Sequence, residues 1–188
     1  RIEQFTVGKD YLLDQRLISY DCQASIAHAR MLGEVGLLPD DEVQLLVEGL
    51  EEISLLAQSG SFTILPEQED CHTAIEQWLV GKLGDTGKRI HLGRSRNDQV
   101  LTALRLYYKD VLAKMRLDVK GLAKRVRRFA RRHQALSMPG YTHMRKAMPS
   151  TVGCWAEALS DALKDDDLLL KSAAQLIDQS PLGSGAGY

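Results

Sequence analysis

The stretch from Leu101 to Phe129 constrains this chain more than any other. Apolar residues recur there as Leu104, Tyr108, Val111, Met115, Val119, Leu122, Val126 and Phe129, in steps of three or four that draw one stripe along a helix. No proline interrupts it, and Gly121 is its one interior weak point. Such a helix is too long for an ordinary compact domain and is expected to join an extended bundle with the stripe as its seam. Ser95 followed by Asp98 fits a capping box, which puts the helix start there. Gly93-Arg94-Ser95-Arg96-Asn97-Asp98-Gln99 thus crowds hydrogen-bonding groups at a helix N-terminus, where free N–H groups and the positive dipole end suit an anion. Arg96 adds a forked, permanently charged carboxylate binder.

The remaining elements follow from periodicity and punctuation. Leu13, Leu17, Tyr20, Ala24, Ala27 and Met31 predict a first helix over about 11–32. After Pro39, with Asp40 as expected N-cap, Val43, Leu46, Leu50, Ile53, Leu56 and Ala57 predict a second, ending near Ser59-Gly60. Residues 62–66 read as an extended connector, and Glu69-Asp70 opens a third helix with Ile75, Trp78, Leu79 and Leu83. Residues 84–93 and the segment around Met138-Pro139-Gly140 read as loops. Ser150-Thr151 caps a last long helix with Trp155, Leu159, Leu163, Leu169 and Leu176, and residues 182–187 read as glycine-rich loop. No period-2 segment of useful length appears, so the expected class is all-α, with a small helical domain over 1–93 and long bundle helices over 94–188.

Composition removes several function classes. Across 188 residues, 24 basic and 25 acidic side chains leave a formal charge of -1, with no global pull toward nucleic acid or membrane. The basic run Lys124, Arg125, Arg127, Arg128, Arg131, Arg132 sits in the last turns of the long helix, where cations complement the dipole. Asp165-Asp166-Asp167 point about 100° apart on a helix and cannot converge on one cation. Cys22, Cys71 and Cys154 are isolated and odd in number, which reads as reduced thiols in a cytoplasmic protein. No apolar run approaches spanning length, and neither a signal pattern nor a metal-ligand spacing is present. Arg1 in place of Met, and a glycine-rich end, read as a longer protein that has been trimmed.

Three polar segments carry chemistry: Glu69-Asp70-Cys71-His72, residues 93–99, and Gly140-Tyr141-Thr142-His143. A lone His is more often structural, and an Asp at a helix start more often a cap. Together they supply an Arg for a carboxylate, an Asn amide, a Thr hydroxyl and two histidines able to move protons near neutral pH. That inventory suits proton abstraction beside a carboxylate, with preset donors for the developing oxyanion. It does not suit acyl transfer, since there is no Gly-x-Ser-x-Gly elbow.

These segments, with Pro181-Leu-Gly-Ser-Gly185, occur in an order that resembles the argininosuccinate lyase family of the fumarase/aspartase superfamily. The resemblance implies a homotetrameric helical bundle whose active sites are shared between subunits. It implies β-elimination of argininosuccinate to arginine and fumarate, without cofactor or metal. On it, His143 is the catalytic histidine, and Thr142 is a substrate-binding hydroxyl. Ser95, Arg96 and Asn97 hold substrate carboxylates, Asp70 and His72 match the Glu-Asp-x-His loop, and Asp14 contacts the arginine end. The family's proton-abstracting serine loop is placed beyond residue 188, so this stretch alone is expected to be inactive.

The chain departs from the family pattern at Asp10, where a Ser is usual, at Leu92, and at Arg145 and Met148, where glutamines are usual. The alternatives within this fold are a related lyase acting on adenylosuccinate and a crystallin-like structural protein.

Overall fold

The computed structural model describes residue 5 and residues 7–181. The expected glycine-rich loop at 182–187 lies outside the described residues. Helices dominate the fold: α1 (Ile18–Glu34), α2 (Asp40–Gln58), α3 (Cys71–Leu83), α4 (Arg96–Arg132) and α5 (Val152–Ile177). Two compact units divide within α4, one running to Tyr107 and the other covering Tyr108–Gln179.

In the first unit, α1, α2 and α3 enclose one core. Ile18, Cys22, Ala29 and Leu32 of α1 meet Leu46, Leu50 and Ile53 of α2 and Ala74, Ile75 and Leu79 of α3, all at most 2% exposed. The spacing is the three-and-four repeat that places side chains on one helical face. Gly49 lets α2 approach α3, because a Cβ there would lie 2.8 Å from Leu79 Cδ2.

Several local expectations are corrected. The first helix is interrupted: a turn at Asp10–Leu13 tightens into a 3-10 turn at Asp14–Arg16 before α1 begins. Asp40 does not cap α2; Pro39 occupies the cap position, and Asp40, Asp41 and Glu42 fill the first turn, where acids complement the dipole. The connector after α2 is pinned by Gln15, whose Nε2 donates to the Phe62 carbonyl (2.6 Å) and whose Oε1 accepts from Ile64 N (3.1 Å). The glycine-rich stretch after α3 is not open loop but helical turns, Asp85–Lys88 and Arg89–His91. Gly87 allows this, since a Cβ there would meet the Leu79–Val80 backbone at 2.6 Å.

In the second unit, the expected loop around Pro139 is a hairpin, β1 (Ser137–Thr142) antiparallel to β2 (Arg145–Thr151), with Pro139 opposite Pro149 and an irregularity between Pro139 and Tyr141. Pro139, Gly140 and Pro149 masked it in the sequence, yet in a two-stranded ribbon both strands are edges and tolerate a missing N–H. Thr151 caps α5 by accepting from Cys154 N at 3.0 Å. α5 runs back along α4 through small residues: Ala123, Ala130, Ala156 and Ser160 are buried, and Ser160 Oγ donates to the Ala123 carbonyl at 3.2 Å. The larger apolar side chains stay open, among them Met115 (45%), Leu117 (71%), Trp155 (58%) and Leu169 (71%). Asp167 turns away from its acidic neighbours and pairs with Arg116 Nε at 2.8 Å, as a 100° step requires. The basic run at 124–132 is exposed on α4. Among the described residues, no helix is long and apolar enough to cross a membrane.

Candidate active site

The site of the first unit is built on two adjoining helix starts. Asp70 is the N-cap of α3, and its Oδ1 accepts from Thr73 N at 2.8 Å. The backbone is forced into place just before it: Glu69 has φ 67 and ψ −53, and Asp70 N donates back to the Gln68 carbonyl at 2.7 Å. That is the rarer, strained hand of the γ-turn. At the other start, Ser95 N donates to Asp98 Oδ2 at 2.7 Å while Asn97 N donates to Ser95 Oγ at 3.1 Å, the reciprocal cap the spacing predicts. Gly93, at φ 68, supplies the left-handed residue that turns the chain into α4.

Arg96 joins the two starts. Its Nη1 donates to Asp70 Oδ1 (2.6 Å), Asp70 Oδ2 (2.5 Å) and Thr73 Oγ1 (3.0 Å). Among the described residues the three N–H donors on Nε and Nη2, of the guanidinium's five, remain uncommitted. Partial burial raises the Asp70 carboxyl, but the Thr73 hydrogen bonds and the charges of Arg96 and His72 outweigh it and hold the group below its ordinary value. Asp70 is therefore an anion that orients Arg96, while Ser95, Arg96 and Asn97 are exposed.

Asp14 and His72 lie beneath. Asp14 Oδ2 accepts from Cys71 N at 3.4 Å; burial first, then Asp70 and Asp10, raise its carboxyl against the Cys71 hydrogen bond and His72. His72 is 1% exposed, and its Nδ1 lies 3.1 Å from Asp21 Oδ2, itself in a fully buried side chain. Asp14, Cys71 and His72 bring ligand-type atoms within 4.8 Å of one another. Burial and three neighbouring carboxylates push the Cys71 thiol far up. Burial, with Arg94, lowers His91 and His28; His91 Nε2 lies 3.0 Å from Glu76, and His28 Nε2 donates to the Leu92 carbonyl at 2.9 Å.

The sequence matches the family described as Lyase over residues 3–188. The chain belongs to the lyase family. Within this lyase family, an argininosuccinate lyase of Thermotoga neapolitana is 54% identical over the whole chain, which covers 47% of that relative. One from Sorangium cellulosum is 42% identical over 98% of the chain and 43% of the relative. The chain thus spans about half the length of the curated relatives it matches. Among solved structures of lyases, EDDS lyase in complex with formate aligns over 99% of the chain and 37% of its own, with a TM-score of 0.79 and 30% identity. A fumarate lyase:delta crystallin from Brucella melitensis shares the fold, with a TM-score of 0.77 at 18% identity.

The structure brings Asp14, Asp70, His72, Ser95, Arg96 and Asn97 into the first unit of this lyase chain. Thr142 and His143 belong to the second unit, at the hairpin tip, where Thr142 Oγ1 is 2.9 Å from His143 Nδ1. His143 (φ 50) and Met144 (φ 62) form the two-residue connection, both left-handed and neither glycine. Arg145 and Met148 are exposed on β2, and Asp10 is exposed ahead of the 3-10 turn. Sequence reasoning missed Asp21, Ser25, Thr73 and Arg94. Asp21 and Ser25 carry a readable signal: they are polar residues on the core-facing stripe defined by Ile18, Cys22, Ala29 and Leu32.

Proposed function

We propose that this chain is part of an argininosuccinate lyase that eliminates fumarate from argininosuccinate to release arginine. The observation that carries the reading is Arg96, held by Asp70 through one nitrogen at the N-terminus of α4 with its other donors uncommitted. The 42–54% identity to curated argininosuccinate lyases supports it over adenylosuccinate.

Elimination removes a proton from the carbon beside a carboxylate, pushes those electrons toward it, forms the C=C bond, and breaks the C–N bond with the electron pair leaving on the guanidino nitrogen. Arg96, the Ser95 hydroxyl, the Asn97 amide and the free N–H groups of the α4 start stabilise the aci-carboxylate, because their positive ends are fixed before charge develops. Asp70 supplies the counter-charge that keeps Arg96 in place. Asp14, the half-buried carboxylate below, contacts the arginine end of the substrate. The proton is removed by the serine loop that the resemblance places beyond residue 188. His143, oriented by Thr142, steers proton delivery as the nitrogen leaves. The reaction needs no cofactor, since each step is a proton transfer or an electrostatic one.

The protein assembles as a homotetramer with shared sites, and His143 serves a neighbouring subunit's arm. The exposed apolar side chains of α4 and α5 support this, since partner helices would cover them. The free thiols support a cytoplasmic location. The test is fumarate release by the full-length protein, with adenylosuccinate in parallel: release from argininosuccinate is expected, and release from adenylosuccinate alone, or from neither, overturns the assignment. His143→Ala should lower turnover by about 10²–10⁴-fold with the assembled mass unchanged by light scattering.

A further inference from the structure

The polar groups that the fold leaves unsatisfied are gathered in one place. Among the described residues, the buried side-chain nitrogens and oxygens without a hydrogen-bond partner are Asp21 Oδ2, His72 Nδ1 and Nε2, His91 Nε2 and Arg94 Nε. Buried polar atoms are normally paired, so a cluster of exceptions marks a place where something other than stability is being met. Asp21, His72 and Arg94 belong to a single string. Arg94 Nη2 donates to Ser25 Oγ (3.1 Å) and to the Ile90 carbonyl (3.3 Å), and Ser25 Oγ donates to Asp21 Oδ1 (3.5 Å). Asp21 Oδ2 then lies 3.1 Å from His72 Nδ1, close enough for its charge to act but off the line of a hydrogen bond.

The ends of the string are informative. Arg94 directly precedes Ser95, Arg96 and Asn97, and His72 stands two residues after Asp70. The string therefore ties the two segments that Arg96 and Asp70 already bridge at the surface, and it does so from underneath, through α1. Ser25 and His72 are each 1% exposed and Asp21 is 0% exposed, so solvent does not screen this path. The surface bridge is weaker, with Asp70 27% and Arg96 42% exposed. A carboxylate taken up on Nε and Nη2 shares the guanidinium charge with Asp70, which holds Nη1.

We propose that Arg94, Ser25, Asp21 and His72 are positioning residues: a buried string that fixes the 93–99 arm against the Asp70 loop so that the two bind a dicarboxylate as one unit. This rests on the carboxylate-binding reading of Ser95, Arg96 and Asn97. None of the four need touch the substrate. Ser25 is the informative link, because its hydroxyl bonds both Arg94 and Asp21, and its loss removes one atom from the core.

The test is equilibrium binding of fumarate, used as a dicarboxylate probe, to the full-length protein by calorimetry, with KM and kcat for argininosuccinate and the melting temperature measured alongside. Ser25→Ala should weaken fumarate binding about tenfold and raise KM by a similar factor. Melting should fall modestly, since Arg94 and Asp21 each lose a buried partner, while the protein stays folded at the assay temperature, and kcat should fall less than KM rises. Arg94→Met should do the same, and Arg94→Lys should recover part of the loss by restoring charge without the fork. If Ser25→Ala fails to fold, Asp21→Asn, which keeps the shape and removes the charge, is read in the same way. Unchanged fumarate affinity, or a loss that follows only the unfolded fraction, overturns the inference. A wild type that binds fumarate but does not cleave argininosuccinate refutes the substrate assignment and leaves the string to be judged on binding. A wild type that does neither overturns both.

Discussion

Asp70 does two things at once, and a pair of substitutions separates them. Its Oδ1 caps α3 through Thr73 N at 2.8 Å, and both its oxygens accept from Arg96. Asp70→Ala removes both. The cap is worth about 1 kcal/mol, and the ion pair, with Asp70 27% and Arg96 42% exposed, adds at most about 1 kcal/mol after screening by solvent. A local loss of about 1–2 kcal/mol shifts the opening equilibrium of the first turn of α3 by about 5–30-fold. Asp70→Ser keeps a hydroxyl that caps nearly as well and removes only the charge, so it should cost at most about 1 kcal/mol. Amide hydrogen exchange over residues 71–83 of the full-length protein reads this directly: exchange should rise most in Asp70→Ala and clearly less in Asp70→Ser. Fumarate release should nonetheless fall in both, because Arg96 loses its anchor in both. Equal exchange in the two variants would refute the division between cap and anchor, and an Asp70→Ser protein with unchanged KM and kcat would refute the anchor.

Further outcomes follow from single positions. Gly87→Ala places a Cβ 2.6 Å from the Leu79–Val80 backbone; it should cost about 1–3 kcal/mol, measured as a lowered melting temperature. Asp14→Asn should act with a pH dependence. Burial holds the Asp14 carboxyl above its ordinary value of 3.8, so the folded state binds its proton more readily than the unfolded chain. The stability this contributes is complete in acid below that value and is lost as pH rises through the raised folded value. The Asn variant should therefore melt higher than wild type at neutral pH and show no advantage in acid, while fumarate release falls; a gain that is constant with pH would contradict the burial argument. Glu69→Gly relieves a strained γ-turn worth about 1–3 kcal/mol against about 0.5–1 kcal/mol of added chain entropy. It should leave melting unchanged or higher while raising KM, and a clear drop in melting temperature would show that Glu69 is not strained.

Much of the architecture was legible because helices announce themselves through periodicity. The stripe through Leu104, Val111 and Val126, the reciprocal cap of Ser95 and Asp98, and the caps at Asp70 and Thr151 all depend on neighbours within four residues. The hairpin at residues 137–151 was hidden for a related reason. Pro139, Gly140 and Pro149 are locally poor strand residues, and the pairing of residues as far apart as Ser137 and Thr151 leaves no periodic trace. The chemistry divides along the same line. Arg96 and Asn97 could be singled out because they crowd a helix start, whereas Arg94 looks the same in sequence and is set apart only by meeting Ser25, 69 positions away. The expectation that Asp40 caps α2 failed because Pro39 takes the cap position in extended backbone, a choice the composition of the turn left open.

Strain and incomplete pairing fall in the same segments as the chemistry. The non-glycine residues with left-handed backbone among those described are Glu69, His143 and Met144, and each lies in or beside a polar segment singled out for its side chains. Among the described residues the unsatisfied buried atoms fall on Asp21, His72, His91 and Arg94, three of them in the string that links the 93–99 arm to the segment Asp70 begins. The cores around Leu50 and Ile53, and the small-residue contact of Ala123 with Ser160, show neither feature. A chain selected for stability alone would place glycine at 69 and 143 and an aliphatic residue at 21, since each exchange removes a left-handed side-chain residue or an incompletely paired buried carboxylate. Retaining Glu69, His143 and Asp21 is reasonable only if their side chains or the backbone angles they enforce are needed where they stand. In the elimination proposed here, Glu69 sets the angle at which Asp70 meets Arg96, and Asp21 holds the loop that Asp70 begins.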